Sequence, residues 1–397
     1  MNFDKKNNIY KIAMTVIVTV IITFIATSVL LYNYYFKTEK GLVKALSTTE
    51  TSDLEAKVKL IKEYIDEFYL GEINEQDMIE SAVKGYVAGL GDEYTEYLTK
   101  AEYEELMIDV NGDYVGIGIY MAQDKDGNAV VLLPIEGSPA EEAGLETGDI
   151  ITKVDGEECT GMDLTLVANK VKGEEGTTVD LEILRENEFI NKTITRKKVE
   201  IKTIENEILE NKIGYIEILS FDNKCSDEIE KILGDYEEKG VKSIIIDLRD
   251  NGGGIVSEAT NIADLFLPKD ASIMIEIDNK GNAKDIKSKK DPIVNSDIKV
   301  IVLTNENSAS ASEILVGALK DNGRAEILGT KTYGKGVMQE LVPVSSGGAL
   351  KLTIQEFCTA NGNKINKVGI KPDIEIEDDE ETDKDEQLQK AIEMCKE

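Results

Sequence analysis

The sequence predicts an α/β protein that carries a separate β-rich module. From residue 211 onward, predicted strands and helices alternate, which is typical of a core with parallel strand pairing. Residues 113–200 instead contain short β-branched runs separated by glycines, the pattern of a small β-sheet module. At 397 residues, the chain is long enough for two or three domains.

An apolar segment near the N-terminus predicts a membrane anchor. Residues 12–36 contain no charged residue and are mainly Ile, Val, Thr and Leu, so they can cross a hydrocarbon core as one transmembrane helix. Lys5, Lys6 and Lys11 precede the segment, and the positive-inside rule therefore places residues 1–11 in the cytoplasm and the rest beyond the membrane. A cleaved signal peptide is the alternative, but the run is long for one and no convincing Ala-x-Ala site follows it.

Residues 37–112 are predicted to form a linker followed by an N-terminal helical region. Two apolar stripes at three- and four-residue spacing predict amphipathic helices that need a partner surface. Packing on their own domain is the default interpretation, and pairing with a second subunit in a homodimer is the alternative. The stripes are Leu54, Val58, Ile61, Ile65 and Phe68, and then Met78, Ala82, Val83, Tyr86 and Val87.

Composition excludes several classes of site. The chain contains no histidine, so it cannot hold a Ser-His-Asp triad, a Cys-His pair or a histidine-ligated metal. Its formal charge of −32 disfavours a nucleic-acid partner, because phosphate contacts need clustered Lys and Arg. Cys159, Cys225, Cys358 and Cys395 match neither a zinc site nor a CxxC pair. A nucleophile must therefore be activated by an amine or a carboxylate.

Ser310 is the candidate nucleophile. It follows the predicted strand 300–304 and stands at the start of a predicted helix. The sequence Ser-Ala-Ser-Glu at 310–313 is also a capping box, in which the hydroxyl only satisfies a backbone amide. The same position suits a nucleophile, because the helix N-terminus stabilises negative charge on a reacting oxygen. Location alone does not decide between the two.

Lys335 is the candidate base. It lies between two glycines and precedes an apolar stretch. An exposed lysine has a pKa of about 10.4, so a base at neutral pH requires burial that lowers this pKa. Gln339 falls on the same side of a helix or strand, where its amide oxygen can orient the neutral amine. A solvated loop lysine beside a polar glutamine is the alternative.

A glycine-rich loop at residues 250–254 follows the buried strand 244–248. Glycines let backbone amides approach a ligand closely, and the better functional interpretation is an oxyanion hole formed by the amides of Gly253 and Ala311. A nucleotide-binding loop is poorly supported, because the chain lacks GxxxxGK[ST] and GxGxxG at such a junction. A plain tight turn is the remaining alternative.

A second glycine-rich run opens the β-rich module. Alternating glycines and aliphatics can offer free amides to a peptide carboxylate while the strand edge accepts another strand. A glycine-rich edge strand without a ligand is the alternative. The candidate peptide-binding residues are Tyr114, Val115, Gly116, Ile117, Gly118 and Ile119.

Together these motifs resemble the carboxy-terminal processing proteases, also called tail-specific proteases. Residues 89–95 are similar to the family's motif before the PDZ domain, 114–119 to its carboxylate-binding loop, and 138–151 to its PDZ signature. Residues 248–254 resemble its oxyanion loop, although Gly252 replaces the proline often found there.

The catalytic pattern matches the family best. A Ser-Ala-Ser-Ala-Ser-Glu run, a Gly-Lys-Gly lysine 25 residues after its middle serine and a glutamine four residues further on are all present. The resemblance assigns nucleophile, base and orienting residue to Ser310, Lys335 and Gln339, and leaves Ser308 and Ser312 as bystanders. Lys172 stands where relatives often carry arginine, and this change puts any substrate-sensing role of that residue in doubt.

The resemblance implies a ClpP/crotonase-like protease core at residues 201–375 with an inserted PDZ domain at 113–200. It implies a membrane-anchored serine endopeptidase that needs no metal or organic cofactor and cleaves exported or membrane proteins whose C-termini the PDZ domain captures. A catalytically inactive PDZ scaffold and an enzyme held latent until substrate arrives are alternatives. Residues 376–397, an acidic tail with a short helix, are expected to be solvated.

Overall fold

The computed structural model describes residues 54–345, 347–377 and 384–396. The predicted anchor at residues 12–36 and most of the predicted linker lie outside these residues. Within the described ranges, no helix combines the length and the apolar character that a membrane span requires.

The two predicted N-terminal helices are present as α1 (Leu54–Phe68) and α2 (Glu75–Ala88). The chain divides into two units after Asp77, so α1 belongs to the first unit and most of α2 to the second. No described residue of either helix is buried, and Ile61 and Tyr86 are 50% and 69% exposed. The default expectation that these stripes pack on their own domain is therefore not met.

A helix and a strand pair connect the core to the β-rich module. Helix α3 (Lys100–Asn111) begins at the capping residue Thr99 and ends at Gly112, whose left-handed conformation has φ 68°. Strand β2 (Asp113–Gly116) then pairs antiparallel with β9 (Lys197–Glu200), the last strand of the module. This pairing brings the two ends of the module together, as expected for a domain inserted into another.

The module itself is an antiparallel sheet of six strands. Its strands follow the order β3-β4-β5-β7-β8, with β6 paired to β5, and alternate side chains of β7 are buried because one face of the sheet covers the module's core. Its elements are β3 (Ile119–Gln123), β4 (Ala129–Pro134), α4 (Pro139–Glu142), β5 (Ile150–Val154), β6 (Glu157–Glu158), α5 (Leu164–Val171), β7 (Thr178–Arg185) and β8 (Glu188–Thr195).

The core contains a six-stranded sheet of order β10-β11-β12-β15-β16-β19, parallel except for the antiparallel pair β10 and β11. Strand β12 is buried along its whole length, which explains its continuous aliphatic sequence. The strands are β10 (Ile204–Leu209), β11 (Ile213–Ile218), β12 (Ser243–Asp247), β15 (Lys299–Thr304), β16 (Glu326–Gly329) and β19 (Ile374–Glu375).

A second sheet of the core has five strands, of order β1-β18-β13-β14 with β17 also paired to β18. Helices α7 and α8 pack against each other in the main hydrophobic core, and α8 also contacts β13 and β18. The elements are β1 (Glu96–Leu98), α6 (Cys225–Glu238), α7 (Val256–Phe266), β13 (Ser272–Asp278), β14 (Ala283–Lys287), α8 (Ala311–Asp321), β17 (Val337–Pro343) and β18 (Ala349–Thr359).

Helix α9 (Glu386–Met394) packs on the core instead of extending into solvent. Ala391 and Met394 are buried with Ile245 and Leu303 of the six-stranded sheet. The expectation of a solvated tail is therefore wrong for this helix, because its apolar face was long enough to cover the sheet.

Candidate active site

The predicted catalytic loops meet at one edge of the six-stranded sheet. Strands β12 and β15 are parallel neighbours, so the loops that follow them, residues 248–254 and 305–310, leave the sheet side by side. The carboxyl edge of parallel strands is where open α/β sheets commonly bind ligands. Topology alone thus brings together the two segments that the sequence analysis singled out.

Ser310 occupies a strained position before α8. Its backbone has φ 56° and ψ −111°, outside the regions that non-glycine residues favour. Such strain occurs at sites where the surroundings hold a residue in place. Its carbonyl accepts a hydrogen bond from the Ile314 amide at 3.0 Å, and its own amide donates to the Glu313 carboxylate at 3.0 Å.

Glu313 links the predicted nucleophile to the predicted base. Its Oε2 atom accepts hydrogen bonds from the backbone amides of Ser310, at 3.0 Å, and Lys335, at 2.8 Å. Its Oε1 atom accepts from the Thr332 hydroxyl at 2.6 Å and the Gly334 amide at 2.8 Å. The residue is fully buried, and this burial raises its pKa although the hydrogen bonds oppose the change. One side chain therefore fixes two backbone segments that are 25 residues apart.

The sequence analysis treated Glu313 only as a capping partner. The capping pattern correctly placed its carboxylate on the Ser310 amide, but it gave no indication of the three bonds to residues 332–335. A buried carboxylate within a helix that is otherwise apolar was the signal that could have identified it, because such a group needs several donors.

Lys335 lies in an environment that favours its neutral form. Burial lowers the pKa of its amine, and the nearby charge of Lys351 lowers it further. The Nζ atom lies 4.9 Å from the centroid of the Tyr94 ring, a contact that favours the ammonium form. Burial raises the pKa of Tyr94 to about 12, with a hydrogen bond to Tyr333 as the second cause. The motif before the PDZ-like module thus supplies a wall of this site, which the sequence analysis did not predict.

The glycines on either side of Lys335 allow the chain to pack closely around it. A Cβ atom on Gly336 would lie 2.3 Å from the Asn366 backbone nitrogen. Gly334 has φ 97°, and its carbonyl accepts a hydrogen bond from the Lys367 amide at 2.7 Å. The Gly-Lys-Gly motif therefore reflects close backbone contact with residues 366–367.

Gln339 lies in β17, where a β-bulge separates it from Met338. The bulge interrupts the side-chain alternation on which the four-residue spacing argument depended. Its Nε2 atom is buried and has no hydrogen-bond partner within the described part of the chain. The orienting role of Gln339 toward Lys335 stays a prediction.

Gly253 lies against Ser310, as the oxyanion hypothesis requires. A Cβ atom on Gly253 would lie 2.8 Å from the Ser310 Cβ atom and 3.0 Å from the Ala311 nitrogen, and the glycine has φ 109°. Its amide, however, donates to the Asn251 side-chain oxygen at 2.8 Å. The Gly253 amide is therefore occupied in this conformation, because the carboxamide two residues earlier competes for it.

Ser308 and Ser312 do more than flank the candidate nucleophile. The Ser308 hydroxyl donates to the Leu248 carbonyl at 2.7 Å, and the Ser312 hydroxyl donates to the Asn251 carbonyl at 2.9 Å. Both serines are fully buried. They fasten the candidate oxyanion loop to the segment that carries Ser310, so the description of them as bystanders is wrong.

The β-rich module contains a groove of about 190 Å³ beside β3. Strand β3 pairs only with β4 among the described strands, which leaves its other edge open. Helix α5 contributes Ala168 and Val171, and Lys172 follows them along the groove. Of the predicted peptide-binding residues, all but Val115 line this groove, namely Tyr114, Gly116, Ile117, Gly118 and Ile119.

The glycines of this loop hold it close to its neighbours. Gly118 has φ 80°, and a Cβ atom there would lie 2.3 Å from the Ser138 Cβ atom. The Ser138 hydroxyl donates to the Gly118 carbonyl at 3.0 Å. Burial raises the pKa of Tyr114, and the amides of Ile119 and Gly118 oppose this by hydrogen bonding to its hydroxyl. The Tyr114 side chain thus lies on the amides that would receive a carboxylate.

Comparison with known proteins places the chain in a family. A model of peptidase family S41 matches residues 212–376, and a PDZ-domain model matches residues 130–185. The chain is 35% identical over 364 residues to the "Probable CtpA-like serine protease" of Staphylococcus aureus strain MRSA252, covering 91% of this chain and 71% of that protein. The chain belongs to peptidase family S41.

Two further similarities agree with this assignment. The S41 peptidase is 35% identical over 335 residues to a protein of the same name from Staphylococcus haemolyticus strain JCSC1435, covering 84% of this chain and 67% of that protein. The solved structure of a photosystem II D1 C-terminal processing protease aligns with a TM-score of 0.48 at 27% identity, covering 81% of this chain and 87% of that one.

The S41 peptidase is thus a serine peptidase with a PDZ domain. The five predicted catalytic and oxyanion residues all fall within the S41 match at 212–376. The predicted peptide-binding run at 114–119 precedes the PDZ match at 130–185, although the structure includes it in the same module through β2 and β3.

Proposed function

We propose that this S41 peptidase is a membrane-anchored endopeptidase that cleaves proteins captured by their free C-termini, with Ser310 as nucleophile and Lys335 as base. The observation that carries the proposal is the pair of backbone hydrogen bonds from Ser310 and Lys335 to the single Glu313 Oε2 atom. Shared anchoring on one buried atom holds the two segments in a fixed relation, as proton transfer between their side chains requires.

The chemistry follows the ordinary route of acyl transfer. Neutral Lys335 accepts the Ser310 hydroxyl proton as the oxygen attacks the peptide carbonyl, and the resulting lysinium protonates the leaving amine. Water then attacks the acyl-enzyme, with Lys335 again as base. Gln339 orients the amine in this scheme.

The tetrahedral intermediate needs donors for its oxyanion. The Ala311 amide at the N-terminus of α8 is one, and the positive end of the helix dipole adds to it. The Gly253 amide is the second donor once it leaves the Asn251 side chain. Substrate binding would therefore include a local rotation of the oxyanion loop, which supports an enzyme that is latent until substrate arrives.

Substrate capture is assigned to the PDZ groove. An extended C-terminal segment adds as a strand to the open edge of β3, and its carboxylate takes the amides near Gly118 and Ile119 in place of the Tyr114 hydroxyl. The apolar side chains of α5 in the groove favour an apolar terminal residue.

Residues 12–36 supply the proposed anchor, which places the catalytic part on the extracytoplasmic side of the cell membrane. The exposed apolar side chains of α1 and α2 support the homodimer alternative, because such faces are normally covered.

The test is cleavage of an unstructured protein with an apolar C-terminus by wild type, Ser310→Ala and Lys335→Ala. Both variants are expected to lose cleavage, and undiminished cleavage by either refutes the assignment. Covalent labelling by an active-site-directed serine reagent separates the inactive-scaffold alternative, since a scaffold would leave Ser310 unmodified.

A further inference from the structure

Arg249 lies between two carboxylates from distant parts of the chain. Its NH2 atom is 2.6 Å from Asp247 Oδ2, and its Nε atom is 3.0 Å from Asp247 Oδ1. Its NH1 and NH2 atoms also donate to the Asp385 carboxylate at 2.9 and 2.8 Å. Burial lowers the pKa of Arg249, but these carboxylates outweigh it and the pKa is raised overall. The guanidinium is therefore a permanently charged bridge between β12 and the segment that begins α9.

The residue after Arg249 opens the candidate oxyanion loop. Asp250 has a left-handed backbone with φ 58°, which is strained for a residue with a side chain. Its carboxylate accepts hydrogen bonds from the side chains of Asn305 and Asn307 at 2.9 and 2.7 Å. Arg249 and these two asparagines thus hold the loop entrance from opposite sides, and movement of the Arg249 backbone would be transmitted directly to Asp250.

Asp385 is itself firmly positioned. Its Oδ1 atom caps α9 by accepting from the Leu388 amide at 2.7 Å. The helix behind it buries Ala391 and Met394 against Ile245 of β12 and Leu303 of β15. Asp385 is therefore referenced to the two strands from which the oxyanion loop and the Ser310 segment depart.

Charge neutralisation alone does not explain the second carboxylate. Asp247, whose side chain is only 3% exposed, already balances the single charge of Arg249. Tyr215 donates a further hydrogen bond to Asp247 at 2.9 Å. Asp385 adds a negative charge in excess, so its contribution is the fixed orientation that a bidentate contact imposes on a planar guanidinium.

We propose that Asp385 is a positioning residue for the oxyanion loop, which it holds through Arg249. The C-terminal helix is then a part of the support of the active site. This inference rests on the proposed function, because it assumes that residues 250–254 bind the oxyanion.

The experiment compares Asp385→Asn and Asp385→Glu in the full chain. The matched control is Glu393→Gln on the same helix, whose side chain is 66% exposed. The substrate is the unstructured protein with an apolar C-terminus, and kcat, KM and Tm are measured for each variant. Ser310→Ala in parallel shows whether cleavage depends on the proposed nucleophile.

We expect Asp385→Asn to lower kcat by about tenfold with KM within about twofold, since loss of a whole oxyanion donor lowers kcat by about a hundredfold or more. Asp385→Glu should restore part of this loss, and Glu393→Gln should behave as wild type. Combined with Arg249→Lys, Asp385→Asn should cause little further loss, because both changes break the same contact.

An unchanged kcat in Asp385→Asn overturns the inference while leaving the proposed function intact. So does a fall in kcat that merely follows the folded fraction. Absence of Ser310-dependent cleavage in the wild type instead overturns the proposed function and, with it, this inference.

Discussion

The Ser310 centre and the PDZ groove are built on opposite principles. Around Ser310, the key groups are buried and already bonded, with Glu313 alone accepting four hydrogen bonds. The groove beside β3 is half open, with an unpaired strand edge and a loop whose amides have only the Tyr114 hydroxyl as a temporary partner. Catalysis requires groups that do not move, whereas capture requires backbone that a ligand can complete.

This comparison makes a general expectation. Substitutions in the first region should change kcat and leave peptide affinity alone, and substitutions in the second should do the reverse. The four variants that follow test it in order of decreasing effect.

Lys335→Met should abolish cleavage, by at least about a thousandfold, because no other base replaces the amine. The same variant should raise Tm at neutral pH. Folding lowers the pKa of this lysine, so the protonated amine is less favourable in the folded chain and its removal stabilises the fold. Calorimetry and a cleavage assay measure both effects, and a lower Tm would indicate that the amine is not penalised by burial.

Glu313→Gln should lower kcat by about a hundredfold, since an amide presents donors where two backbone amides and a hydroxyl need acceptors. Tm should fall as well, because buried donors lose their partners. Glu306→Gln is the matched control, since Glu306 lies on the exposed surface of the same loop. Binding of a C-terminal peptide to the folded variant should be unchanged, and weakened binding would break the separation of the two regions.

Gly118→Ala should raise KM by about tenfold and leave kcat nearly unaltered. Its methyl group would lie 2.3 Å from Ser138, and alanine also resists the φ of 80° at this position. Gly127→Ala offers a control with a similar φ of 83° outside the groove. Titration of a fluorescent C-terminal peptide against each variant measures the effect, and a change in kcat alone would contradict the assignment of capture to this loop.

Tyr114→Phe should increase affinity for a C-terminal carboxylate by about threefold. The change removes the hydroxyl that competes for the Gly118 and Ile119 amides but keeps the ring that packs on Gly116. A peptide with an amidated C-terminus serves as the reference ligand and should show no gain. Weaker binding in Tyr114→Phe would mean that the hydroxyl contacts the ligand instead of competing with it.

Local patterns predicted the elements well where local chemistry determines them. Strand 299–304 and the helix beginning after Ser310 were placed to within a residue, because a buried β-branched run and a capping box are short-range signals. The run 114–120, predicted as one strand, is divided between β2 and β3, since its two halves pair with strands about 70 and 10 residues away. Pairing partners of that kind cannot be deduced from periodicity.

The site was predicted in outline and missed in its supports. Family resemblance supplied Ser310, Lys335 and Gly253, but the direction of the Gly253 amide depends on Asn251 and could not be deduced from a glycine-rich pattern. The contact of Arg249 with Asp385 spans 136 residues and was hidden in a tail that composition alone made look solvated. Side-chain bonds across such distances are decided by the packing of the whole core.

The most direct test of the central claim is the pH dependence of Ser310 labelling by a fluorophosphonate. Because burial lowers the pKa of Lys335 from its usual value, the neutral amine becomes available as pH rises, and the labelling rate should increase with a midpoint below 10.5. In Lys335→Met the labelling should be slow and lack that transition. Equal rates in both proteins across the pH range would contradict the pairing of Ser310 with Lys335.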